Sequence, residues 1–146
     1  MRLAAVEAAE ADALARGDVG DWPIAPGWPH DDTVSGLSFA RSGGLQYVIV
    51  DDEGRIAGEC GTKAPPRDGI VEIGYGLAAP SRGRGLGGRA VTELIALLQA
   101  REDVRAVEAE VHITNLASRS IVERLEFVTD GQPAQGFLRY RLIVAS

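Results

Sequence analysis

The chain has 146 residues, enough for one domain and too few for a second with its own core. Its make-up, 45% hydrophobic and 25% charged, is that of an ordinary globular protein, and a chain of this size buries enough surface to fold without staples. Fifteen basic against 21 acidic residues give a net charge of −6 with no run of one sign, which argues against a nucleic-acid footprint.

One cysteine, Cys60, can form neither an internal disulfide nor a cysteine-based zinc site, and reads as a small buried hydrophobe in a reducing compartment. Glu7, Glu10 and Asp12 interrupt the apolar N-terminal stretch, and no run approaches 18 apolar residues. The expectation is a cytoplasmic protein with no membrane or nucleic-acid partner.

In chain order, residues 3–16 place Leu3, Val6 and Leu14 among alanines before Gly17, which predicts an amphipathic helix with a C′ glycine. Residues 17–44 hold Pro23, Pro26 and Pro29, too many breakers for one long element though with room for a short helical turn, and contain Trp22 and Trp28. LQYVIVDD and RIAGECGT, separated by Asp52-Glu53-Gly54, predict a β-hairpin, and a third strand follows at about 70–78. A helix then runs to about Ala100 with Leu86, Val91, Leu94, Ile95 and Leu98 on one stripe. The strand at 104–113 must lie parallel to the third, because a helical crossover returns the chain in the same direction. A helix at about 115–125 and strands at 127–130 and 137–145 complete the reading.

Arg82-Gly83-Arg84-Gly85-Leu86-Gly87 falls where a strand gives way to a helix, so backbone amides can converge on an anion at the positive end of the helix dipole. A phosphate or pyrophosphate suits such a nest. Arg89 and Ala90 stand where a Walker A loop has Lys and Ser or Thr, which argues against nucleoside triphosphate chemistry. Gly83-x-Gly85-x-x-Gly88 does satisfy the dinucleotide fingerprint, with Glu108 at a suitable distance for a ribose, but it follows an antiparallel meander rather than opening a doubly wound sheet.

Arg82-x-x-Gly85-x-Gly87, the preceding EIGYGLAAP, and Asn115-x-x-Ser118 followed by VERLEF resemble the GCN5-related N-acetyltransferase (GNAT) superfamily. The pattern is nearest the branch that includes ribosomal-protein N-terminal acetyltransferases. The resemblance implies a single α+β domain with a mixed, mostly antiparallel sheet whose central parallel strands splay at an acetyl-CoA site. It implies contacts from Leu77 and Ala79 to the pantetheine arm, from Arg82, Gly83, Arg84, Gly85, Leu86, Gly87 and Gly88 to the diphosphate, and from Asn115. The Leu77 N–H would face the acetyl oxygen. The family's first strand is not evident, Glu126 replaces a usual glycine, and Val122 stands where many relatives carry a tyrosine acid.

Acetyl transfer to a primary amine needs a base, an oxyanion donor and a proton for the leaving thiolate. Glu72 and Glu110, on the strands flanking the splay, are equivalent candidates for the base, directly or through water. Ser118 shares the inward side of its helix with Ile121 and Leu125 and is the candidate proton donor. Asn115 is also that helix's N-cap. His30 and His112 read as surface or strand histidines, and no metal is implied. An amine acceptor is the expected partner, with homodimerisation a family-level expectation. Two alternatives stay open: a binding module for acyl-CoA without turnover, and a dinucleotide-dependent oxidoreductase.

Overall fold

The computed structural model describes residues 1–145. Strand β1 (Arg2–Ala5) leads into helix α1 (Ala8–Ala15), a loop with the short helix α2 (Thr33–Gly36), and then strands β2 (Gln46–Val50), β3 (Ile56–Thr62) and β4 (Ile70–Leu77). Helix α3 (Leu86–Gln99) crosses over to β5 (Ala106–His112), and α4 (Leu116–Arg124) connects β5 to β6 (Phe137–Ile143). The strands lie in chain order in one six-stranded sheet, antiparallel throughout except for β4 and β5. This is the mixed α+β sheet expected, with the crossover helix making the parallel pair.

The N-terminus departs from the helix expected over 3–16. Arg2 to Ala5 pair with Val50 to Tyr47 at the edge of β2, and the helix begins only at Ala8. The alanine-rich composition favours helix, yet an unpaired sheet edge offers four residues a ladder of backbone hydrogen bonds. The first strand of the family is therefore present. At the other end of α1, Gly17 adopts φ +86°, its amide bonding Leu14 O while that of Asp18 bonds Ala13 O. This closes the helix as the glycine required.

Alternation along β2 divides the core between the two faces of the sheet. Ile49 joins Val71, Ile73, Val107 and Ala109 beneath α3 and α4, with Leu94 and Leu98 of α3 and Val122 of α4 fully buried against them. Val48 and Val50 face the other way and pack with Ala11 and Leu14 of α1, Trp28 and Leu37. Cys60 lies in the first cluster, its thiol pushed up by burial. Residues 127–130 form no strand: only Val128 bridges to Arg141, an isolated pair at the sheet margin. No helix among the described residues is long and apolar enough to cross a membrane.

Candidate active site

The parallel pairing of β4 with β5 runs from Ile70 opposite Ala106 to Ile73 opposite Ala109 and stops there. Both strands continue, β4 to Leu77 and β5 to His112, while their other edges stay paired, β4 with β3 and β5 with β6. The strands have thus parted, and a wedge opens between them. Ala78 N–H donates to Ala57 O on β3 at 2.8 Å. Because amides along a strand alternate in direction, the Leu77 N–H is turned to the opposite side, into the wedge.

At the end of β4 the chain makes a 3₁₀ turn over Ala79–Ser81, so Ala79 belongs to that turn and the third strand ends at Leu77 rather than 78. Gly83 and Gly85 follow at φ +79° and +76°, a left-handed conformation that costs an ordinary residue roughly 1–2 kcal/mol. Gly85 is the N-cap of α3. None of the amides from Gly83 to Gly88 finds an acceptor among the described residues, whereas Arg89 N–H returns to Gly85 O at 3.1 Å. A Cβ added at Gly83, Gly85 or Gly88 would meet nothing within 4 Å, so the nest opens outward. Gly87 has a different reason: a side chain there would press on Ile121 at 3.1 Å and Leu77 at 3.3 Å, which sets how closely α3 approaches α4.

This nest forms one wall of a cleft of about 800 Å³ between α3 and α4, bounded also by Leu77, Ala117, Ser120, Ile121 and Arg124. Exposed amides, a 14-residue helix pointing its positive end into the cleft, and Arg82 suit a diphosphate, while Arg84 lines a separate hollow with Asp51, Asp52 and Glu53. Arg82 Nε is anchored on Leu77 O at 3.2 Å, and Arg89 on Asp52 at 3.1 Å. Of the residues expected from sequence to contact the cofactor, Leu77, Arg82, Gly83, Gly85, Leu86, Gly87 and Gly88 line the cleft, whereas Ala79, Arg84 and Asn115 do not, and the donors of the loop have the chemistry to hold a diphosphate.

Asn115 caps α4, its side chain accepting the Ser118 amide at 3.1 Å. Ser118 Oγ lies 2.6 Å from the hydroxyl of Tyr75, a partner that sequence reading did not single out. Tyr75 falls between Ile73 and Leu77 on the core side of β4, and burial raises its pKa. The signal was there: a phenol in a strand whose inward positions are otherwise aliphatic.

Glu72 and Glu110 lie on the opposite face of the sheet, within one network. Lys63 Nζ approaches Glu72 at 2.5 Å, and Arg139 reaches Glu72 at 3.5 Å, Glu108 at 3.1 Å and Glu110 at 2.6 Å. Arg141 also holds Glu108 at 2.6 Å. His112 is on this face, stacked edge-on against Phe137. Neither glutamate is a free carboxylate.

The same face shows what sequence reading missed. His30 is no surface histidine: its Nε2 is 2.8 Å from Glu59 Oε2, and Trp28 Nε1 donates to Glu59 Oε1 at 3.1 Å. Trp28 is buried, while Trp22 only reaches Glu10 at 3.3 Å. Glu59 could have been flagged, being a carboxylate in a strand of small and apolar residues that is buried at every position.

Residues 1–128 match the family model described as Acetyltransferase (GNAT) domain. An uncharacterized N-acetyltransferase of Bacillus subtilis, YjdG, is 27% identical over 119 residues, covering 74% of this chain and 71% of that protein. The fold is shared with the ribosomal L7/L12 α-N-protein acetyltransferase RimL, at TM-score 0.70 and 21% identity over 99% of this chain and 93% of that one. It is shared equally with a phosphinothricin acetyltransferase from Sinorhizobium meliloti solved with acetyl-CoA, at TM-score 0.70 and 19% identity over 99% and 88%. The chain therefore belongs to the GNAT acetyltransferase family, and with it to the acetyl-CoA-dependent acyltransferases.

Proposed function

We propose that the protein transfers the acetyl group of acetyl-CoA directly to a primary amine, on a small molecule or a protein N-terminus. The observation that carries this reading is the row of amides from Gly83 to Gly88 without acceptors among the described residues, opening into a cleft that leads to the parted strands. Acetyl-CoA supplies an activated thioester, and the residues around the wedge bind, orient and stabilise.

The amide nest and Arg82 hold the diphosphate, and the free edge of β4 offers backbone partners to the pantetheine arm. Leu77 N–H, pointing into the wedge, donates to the carbonyl oxygen as it gains charge. Such a preorganised amide is worth roughly 10²–10³ in rate where one donor carries the oxyanion. Ser118, joined to Tyr75 on the parted stretch of β4, returns a proton to the departing sulfur. Glu72 and Glu110 enter as charged walls of the acceptor face, since their ion pairs with Lys63 and Arg139 compete with a role as base.

The test is thermal unfolding with acetyl-CoA and, separately, with NAD(P). A ligand at 100 times its Kd stabilises the native state by about 2.7 kcal/mol. Acetyl-CoA is expected to raise Tm and the dinucleotides to leave it unchanged; the reverse pattern would reinstate the dinucleotide reading of the glycine loop. Thiol release on adding amines then separates the transferase from a module that binds without turnover.

A further inference from the structure

The sheet face away from the cofactor cleft carries a second polar centre. Glu59 of β3 stands opposite Gly76 of β4 and is only 1% exposed. Isolating an ionised carboxylate from water costs several kcal/mol unless it is paired and hydrogen-bonded. Trp28 and His30 supply those partners, one for each oxygen. A Cβ on Gly76 would sit 2.7 Å from Glu59 Oε2 and 3.0 Å from His30 Cε1. The pair therefore rests directly on the peptide that ends in the Leu77 amide. The imidazole keeps 11% of its side-chain surface open.

We propose that His30, backed by Glu59 and seated on Gly76 beside the Leu77 amide, is the proton acceptor for the incoming amine. The proposal rests on the acetyl-transfer reading above and adds the group that reading lacks. The cofactor cleft lies on one side of the parted strands and the His30–Glu59 pair on the other, so an amine entering over Gly76 meets the thioester from the face opposite the cofactor.

The roles of the two nitrogens follow from their partners. Asp32 N–H donates to Nδ1 at 3.2 Å, which leaves the ring proton on Nε2, facing Glu59. Nδ1 holds the lone pair. An N–H bond of the ammonium breaks and its proton passes to Nδ1, displacing the long contact from Asp32. The nitrogen pair forms the C–N bond to the acetyl carbon, the C–S bond breaks with its electrons leaving on sulfur, and the second proton shed by the new amide nitrogen passes to that sulfur by way of Ser118, giving a neutral amide and the CoA thiol while His30 releases its proton to solvent. Glu59 stays ionised and offsets the imidazolium charge. The charged groups facing the ring are Glu59 from β3, Asp32 from its own loop and Arg82 from beyond β4. The Glu59 hydrogen bond raises the imidazole pKa above its ordinary value, Asp32 adds to this, and burial and Arg82 oppose it.

The experiment measures CoA release with n-butylamine as a minimal primary amine across pH, in the parent, His30→Gln and Glu59→Gln, with acetyl-CoA affinity measured alongside. Loss of a general base costs roughly 10²–10⁴ in rate. His30→Gln is expected to lose that much in kcat/KM at unchanged acetyl-CoA affinity, and Glu59→Gln to move the acid limb of the profile to lower pH. In the CoA-bound parent, n-butylamine should lower the midpoint at which the His30 Cε1 proton titrates, as a neighbouring cation does. Full activity with an unmoved profile in His30→Gln overturns the proposal. So does a parent that binds acetyl-CoA but shows no amine-dependent release and no shift of the His30 resonance. A parent that fails to bind acetyl-CoA overturns the cofactor reading instead.

Discussion

Tyr75 Oη sits 2.6 Å from Ser118 Oγ, tying β4 to α4 at a point where β4 has already parted from β5. Either hydroxyl can donate, and burial raises the pKa of the phenol. Ser118→Ala leaves the half-buried phenol only the long contact to the Ser118 carbonyl at 3.4 Å, at about 1–3 kcal/mol, whereas Tyr75→Phe removes the phenol hydroxyl with less left unsatisfied, at about 1 kcal/mol. Ser118→Ala should also lower kcat more than it raises KM, the mark of a group acting mainly in the transition state. Urea unfolding checks the first statement and steady-state kinetics the second; a kcat equal to that of the parent removes Ser118 from the chemistry.

Gly85 is constrained twice, by a φ of +76° and by its place at the mouth of the amide nest. Gly85→Ala should cost roughly 1–2 kcal/mol for the left-handed backbone alone. Gly85→Glu adds a negative charge where the diphosphate is expected, so the acetyl-CoA-dependent rise in Tm should vanish. An intact rise in Gly85→Glu would place the cofactor elsewhere.

The carboxylates Glu72 and Glu110 share the cation Arg139, which is half exposed. Exposed pairs of this kind contribute only about 0.2–1 kcal/mol each. Glu72→Gln and Glu110→Gln are therefore expected to lower amine acetylation by less than about tenfold, well short of the roughly 10²–10⁴ that removing a general base costs. A loss of that larger size in either variant would return the base to that glutamate and displace His30.

Sequence carried the sheet order from β2 to β5, because alternation, the glycine corner and a helix-length crossover each allow few other arrangements. It carried the amide nest too, since Gly83, Gly85 and Gly87 announce local geometry. The strand at Arg2–Ala5 was illegible for a physical reason: its residues prefer helix and become a strand only because β2 offers an edge. The His30–Glu59 pair was illegible because its members lie 29 residues apart and are joined only by the loop folding over β3 and β4. The Tyr75–Ser118 bond spans 43 residues and was hidden in the same way.

Glu126 holds φ +69° just beyond α4, where the amide of Phe127 bonds Val122 O at 3.0 Å and that of Glu126 bonds Glu123 O at 3.1 Å. This is the hydrogen-bond pattern of a Schellman turn, with a charged residue in the left-handed position that glycine favours. Phe127 and Val122 are both buried, so packing enforces the turn despite its strain. Glu126→Gly should stabilise the protein by about 1 kcal/mol, the relieved strain being partly offset by the greater freedom of glycine in the unfolded chain. Thermal unfolding would show it as a higher Tm; a lower one would mean that the glutamate side chain itself supports the turn.

The His30–Glu59 pair also makes stability depend on pH with a definite sign. Its hydrogen bond to Glu59 first, then the charges of Glu59 and Asp32, raise the folded pKa of His30 above the ordinary 6.5, against burial and Arg82. Below about 6.5 both folded and unfolded chains carry the proton, and the contribution is fully present. As pH climbs past that value the unfolded chain releases its proton first, so the native state binds more protons and stability must fall with rising pH. The decline ends once the folded pKa is passed. Urea unfolding of the parent and of His30→Gln at intervals from pH 5.5 to 8.5 should therefore give a difference in free energy that shrinks as pH rises. A difference that grows with pH would mean that the native imidazole is held neutral, with Glu59 failing to stabilise its charge.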